Sequence, residues 1–233
     1  MRIGQSDVIS YLDLCRTEGV NLQRGMNYRL RGRHSVVLMS VRPGAPYADR
    51  VEEGGRVLIY EGHDISRRRN ASDPKTVDQP LRNPSGSFTQ NGIFFEAAKR
   101  HQQSKDEPEL VKVYEKIKSG IWVYNGVFRL VDAWQESSGG RKVCKFKLEL
   151  LDTETLSNQE GNARDLVHNR MIPTAVKLEV WKRDKGSCRL CGKQDNLHFD
   201  HVIPFSKGGT SVVGKNIQLL CARHNLQKHD NIE

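Results

Sequence analysis

No apolar run in this chain of 233 residues approaches the roughly 20 residues a membrane helix needs, so a membrane-spanning protein is not expected. The opening stretch MRIGQSDVISYLDLC lacks the charged-then-apolar order of a secretory signal, which argues against export. Acidic residues are in short supply: 28 Asp and Glu face 37 Lys and Arg, a formal net charge of +9. That excess favours a polyanionic partner. Nucleic acid is the most economical choice, although ribosomal and membrane-surface proteins share the trait. Cysteines number five, too few and too uneven for a disulfide framework. Cys15 and Cys144 stand alone, whereas Cys188, Cys191 and Cys221 crowd the last fifth of the chain. Such clustering points to a reducing compartment, the cytoplasm, and to a metal site. Internal repeats are also lacking. A hydrophobic share of 36% is enough for a real core, which excludes wholesale disorder.

Hydrophobic periodicity predicts mixed α and β structure. Residues 5–18 have helical spacing, with Gly19 as a stop, and Thr89–Gln103 fits a second helix around Phe94, Phe95, Ala97 and Ala98. Strands are expected at His34–Arg42, Arg56–Glu61, Val111–Ile117, Tyr124–Gln135 and Arg141–Leu151. In the last of these, Cys144, Phe146, Leu148 and Leu150 alternate with Val143, Lys145, Lys147 and Glu149, so the first set should face a core. A strongly curved or barrel-like sheet follows over residues 1–152. The polar, aperiodic residues 153–172 read as a linker, and Pro173 opens a second unit at 173–233.

Cys188 and Cys191 form one C-x2-C knuckle, and Cys221 with His224 forms its partner. Three thiolates and an imidazole make a closed tetrahedral set suited to structural Zn2+, which would hold together a segment with little core of its own. Between the knuckles stand Asp200-His201, Gly208-Gly209 and Asn216, and Asn225 follows His224. This constellation resembles the HNH nucleases, of ββα-metal fold, over about residues 177–231. Neighbouring strand residues point to opposite faces, so Asp200 can hold a metal while His201 meets the phosphate. The resemblance implies that His201 is the general base and that Asn216 braces the loop. It further implies that Asp200 and Asn225 are ligands of a catalytic Mg2+ or another divalent cation such as Mn2+. His229, four residues after Asn225, is a candidate third ligand. Lys207 and Lys228 are candidate phosphate contacts.

The N-terminal unit contains, in order, Pro46-Tyr47-Ala48-Asp49-Arg50, Leu58-Ile59-Tyr60-Glu61-Gly62, Asp78-Gln79 and Tyr124-Asn125-Gly126. In this order they resemble the SRA (SET- and RING-associated) family, a PUA-like curved sheet that reads modified cytosine by flipping it from DNA. The resemblance implies that Tyr47 and Tyr60 stack on the flipped base. A carboxylate that accepts from the exocyclic amino group selects cytosine. The family carries it three residues after the first tyrosine, where this chain has Arg50; Asp49 is the nearest acid. Arg67, Arg68 and Arg69 fall where the family carries a loop that enters the gap left by the base, and read as DNA-backbone candidates. Trp122 and Trp134 are expected in the core.

The expected architecture is therefore α+β, with an SRA/PUA-like curved barrel and flanking helices followed by a zinc-stabilised ββα-metal unit. The expected activity is a modification-dependent restriction endonuclease of the prokaryotic cell interior. Its partner would be double-stranded DNA carrying 5-methylcytosine or 5-hydroxymethylcytosine. Cutting both strands would need a homodimer, because one such site cuts one strand. Two other readings stay open: a noncatalytic modified-DNA reader with a structural zinc module, and an HNH nuclease with a sequence-specific N-terminal domain.

Overall fold

The computed structural model describes residues 3–67, 72–151, 171–204 and 207–228. Arg68, Arg69, His229 and nearly all of the expected linker lie outside them. No described helix is long and apolar enough to cross a membrane.

One large sheet organises the N-terminal part. Strands β1 (Val8–Ser10), β2 (Met26–Leu30), β3 (His34–Met39), β4 (Arg50–Glu52) and β5 (Val57–Glu61) are short. Strands β6 (Glu109–Lys118), β7 (Ile121–Ser138) and β8 (Arg141–Leu150) are long. The order is β2-β3-β6-β7-β8-β5-β4, with β1 attached to β7. All pairings are antiparallel except β3–β6. Met26 and Tyr28 from one end of this order share a core cluster with Val51 and Leu58 from the other. The sheet therefore curls until its ends meet over common side chains, as the sequence led one to expect.

Helix α1 (Tyr11–Glu18) is capped by Ser10, whose side chain accepts from the Asp13 amide, and stops at Gly19 in the left-handed region. The expected helix at 5–18 is shorter because Val8–Ser10 pairs as a strand instead. Helix α2 (Gln90–Gln102) is capped by Thr89 and presses Phe94 and Ala98 into the sheet. Cys144, Phe146, Leu148 and Leu150 do face the core. Lys145, expected on a wet face, is also buried, because its Nζ pairs with Glu61 (2.8 Å) and meets the Ala48 carbonyl.

The C-terminal part is helix α3 (Thr174–Arg183), a hairpin of β9 (Leu197–His201) and β10 (Ile217–Cys221), and helix α4 (Ala222–Lys228). It shares a core with the sheet: Ile117 and Val123 pack with Val176, Val180, Leu197, Phe199 and Leu219. Two polar joints reinforce this core. The register of β6 against β7 slips at Asn125, which bulges out of the ladder between Tyr124 and Gly126; Gly126 takes a φ of 105°, open chiefly to glycine. Asn125 thereby meets Lys177 Nζ of α3 (2.6 Å), which also pairs with the buried Glu115 (2.6 Å). At the second joint, residues 6–10 lie between the two sheets. The Ser6 amide donates to Tyr124, the Ser6 carbonyl accepts from Phe199, and Asp7 pairs with His198. His198 is thus a structural tie.

Candidate functional site

Cys188 follows α3, Cys191 closes a tight turn, Cys221 ends β10 and His224 lies in α4. Their four ligand atoms all lie within 4.8 Å of one another. Cys191 Sγ and Cys221 Sγ are 3.8 Å apart, and His224 Nδ1 is 3.3 Å from Cys188 Sγ and 3.5 Å from Cys221 Sγ. Thiolates on a tetrahedron at the Zn–S length of about 2.3 Å stand about 3.8 Å apart, so the donors fit a closed zinc site. Desolvation opposes charge on Cys188, yet the Cys221 amide and His224, aided by further main-chain amides, outweigh it and bring the thiol down to about 6. A sulfur held ready as thiolate is what a metal requires.

The hairpin carries Asp200 and His201 at the end of β9. His201 Nε2 is 2.8 Å from Ser211 Oγ across the connecting loop. Burial depresses the imidazole pKa; Asp200 opposes the shift and Lys228 adds to it. Asn216 closes the base of that loop. Its Oδ1 accepts from the Ile203 amide (2.8 Å), and its Nδ2 donates to the Ile203 and Thr210 carbonyls. The loop passes tightly enough that a Cβ on Gly209 would sit inside the Ile203 carbonyl. Asn225 is half-buried on α4, directly after His224. Lys207 is exposed on the loop.

Lys228 corrects an expectation. Instead of reaching for a phosphate it is buried, with Nζ 2.7 Å from Asp200 Oδ2 and a second contact to the His201 carbonyl. An ammonium so enclosed survives only beside a carboxylate, and Asp200 supplies one.

On the N-terminal unit a cavity of about 1280 Å³ opens between β5 and the turns at 40–49, 63–66 and 77–84. Tyr47, Asp49, Tyr60 and His63 line it, with Arg24, Arg42, Arg82 and Lys116 around it. Asp49 takes two main-chain donors, Ser40 N at 2.9 Å and Glu61 N at 3.0 Å. Desolvation nevertheless pushes its carboxyl up to about 6. The Tyr47–Asp49 turn is clamped from behind: Glu61 Oε2 accepts from the Ala48 amide (3.1 Å) while Lys145 Nζ donates to the Ala48 carbonyl (3.2 Å). Arg50, by contrast, is exposed and pairs with Glu52. Arg67 is exposed, directly after the cavity-lining Ser66.

Tyr60 departs from its expected place. It is 1% exposed, packed in the cluster of Phe94 and Phe146, and only its hydroxyl end reaches His63 Nε2, at 3.3 Å. His63 was not foreseen. Its ring stacks against Tyr47 with centroids 5.7 Å apart and planes 23° from parallel. Desolvation takes the imidazole down to about 4, against the pull of Asp64 and with help from Arg24, so it is neutral at pH 7. The signal for it was an imidazole directly after the Gly62 that ends the Tyr60 strand.

Residues 188–231 match the family model described as HNH endonuclease. No curated protein matches the chain. Among solved structures, the SRA of SUVH5 in complex with methylated CHH DNA is 21% identical, with a TM-score of 0.44, over 64% of this chain and 89% of that one. The modification-dependent TagI restriction endonuclease is 20% identical, with a TM-score of 0.41, over 96% of this chain and 76% of that one. With its three cysteines and His224 gathered at the Cys221 end of the hairpin and Asp200 and His201 at the other, the C-terminal part of this chain is similar to the HNH endonucleases over residues 188–231.

Proposed function

We propose that this chain is a modification-dependent DNA endonuclease, which flips a C5-modified cytosine into the N-terminal cavity and cuts the backbone at the Asp200–His201 hairpin. The observation that carries the reading is the pairing of an HNH domain with a separate cavity that offers an aromatic face, Tyr47, and an acceptor, Asp49. Asp49 oxygens keep lone pairs beyond their two amide bonds, enough to accept from the amino group of cytosine and to reject the carbonyl of thymine.

At the hairpin, Ser211 holds His201 Nε2, which leaves Nδ1 to take a proton from the attacking water. Asn216 keeps the loop, and with it Ser211, in place. Asp200 and the amide oxygen of Asn225 are hard donors that fit a divalent cation, Mg2+ or Mn2+, which when bound supplies charge stabilisation for the phosphorane and leaving oxygen. Lys228 holds one oxygen of Asp200, whose side chain stays 23% exposed. Cys188, Cys191, Cys221 and His224 hold a structural Zn2+. One hairpin cuts one strand, so a double-strand break is assigned to a homodimer on DNA.

A second reading draws on Lys228: an ammonium that permanently neutralises Asp200 would leave a noncatalytic reader. Matched plasmids carrying cytosine, 5-methylcytosine or 5-hydroxymethylcytosine, incubated with Mg2+, Mn2+ or EDTA, separate the two. Metal-dependent cutting of modified plasmid alone is expected. Binding without cutting in any metal would favour the reader, and equal cutting of all plasmids would point to a sequence-specific N-terminal unit.

A further inference from the structure

We propose that His63, rather than Tyr60, forms with Tyr47 the aromatic slot that receives the extruded base. This rests on reading the N-terminal unit as a modified-cytosine reader. A flipped base is held by π-faces on both sides. Tyr60 has no open face to offer, since its ring is 1% exposed and packed in the sheet core, with its hydroxyl against His63 Nε2 at 3.3 Å. The imidazole of His63 stands at the cavity wall, nearly parallel to Tyr47.

Its placement is enforced rather than incidental. One buried side chain, Asn91 of α2, takes both main-chain groups of His63, accepting from its amide and donating to its carbonyl, each at 2.8 Å. Gly25 makes room for the ring edge: a Cβ there would lie 2.8 Å from both His63 Nε2 and Tyr60 Oη. The ring is uncharged at neutral pH, as a stacking surface for a neutral base should be. The 5.7 Å between centroids is short of the roughly 7 Å that two stacking steps of about 3.4 Å require. Loading a base therefore requires the slot to widen by about an ångström.

The test uses the full chain, a duplex with one 5-methylcytosine and its unmodified twin. The readouts are the affinity ratio between the two and the fluorescence of 2-aminopurine placed next to the target base, with thermal melts as a control on folding. His63→Ala and His63→Leu, which remove the π-face, should each lower the affinity ratio about ten-fold or more and abolish the fluorescence rise. His63→Phe, which keeps a face, should restore both. A folded His63→Leu variant with the parental ratio overturns the proposal, as does a folded His63→Phe variant that behaves like His63→Leu. If the parent chain binds both duplexes equally, the reader assignment itself falls, a result distinct from either.

Discussion

In the proposed mechanism His201 acts only on the chemical step, so its removal should separate cutting from binding. His201→Ala is expected to cost about 10²–10⁴ in cleavage rate while affinity for modified duplex stays near the parent's. Undiminished cleavage would take His201 out of the mechanism. The cavity residues permit a different measurement. His63 has a folded pKa of about 4, below the ordinary 6.5, so between those values the unfolded chain binds a proton that the folded chain refuses, and stability falls as pH drops. Asp49, at about 6 against an ordinary 3.8, does the reverse: the folded chain keeps a proton that the unfolded chain releases, and stability falls as pH rises through that window. The two slopes oppose each other in the parent. In urea titrations from pH 4 to 7, His63→Phe should gain stability relative to the parent on acidification. Asp49→Asn should gain as pH rises. Each gain is at most about 3 kcal/mol. Differences that do not change with pH would show that these groups do not titrate as placed.

At the scale of elements, legibility in the sequence followed burial geometry. The β8 alternation and helices α1 and α2 were readable because each has one apolar face. The zinc quartet was readable because its donors come in two local pairs. Strand β5 was expected at Arg56–Glu61, but its facing was not readable: all five of its residues are buried, so alternation cannot say which face of Tyr60 is covered. Lys145 and Lys228 misled for a related reason, since each finds a distant carboxylate, Glu61 or Asp200, that no local pattern announces. Asn125 is the same case, a bulge whose partner Lys177 lies on α3. That joint yields a prediction. Lys177→Met strands the buried Glu115 carboxylate and should cost about 3–5 kcal/mol in urea unfolding, whereas Lys177→Met with Glu115→Leu should cost clearly less. The zinc quartet yields another. Cys188→Ser should lose bound zinc and melt the hairpin, whereas Asn225→Ala should keep both zinc and fold yet not cut. Equal zinc loss in the two variants would refute that division.

For the whole molecule, the shared core and the two polar joints bind the cavity and the hairpin into one body. Cavity and hairpin are held at a set separation, so cuts should cluster at one distance from a single modified cytosine, and mapping of cleaved ends checks this. If the active species is a homodimer, linear product should rise more steeply than first order in enzyme, while nicked circles rise in proportion. First-order linearisation by a protein monomeric in light scattering would argue for one chain cutting both strands.

The segment at residues 6–10, wedged between Tyr124 and Phe199, also sets a schedule for the ribosome. It is synthesised some 190 residues before the strand that covers its second edge. At about 5–20 residues per second, that is a wait on the order of ten seconds or more with one edge unpaired. The nascent N-terminal unit thus stays unfinished until the nuclease hairpin has been translated. A chain shortened before residue 197 should be a poorer folder than its own large sheet would suggest, and a bulky fusion at the start should disturb the far end of the sequence first.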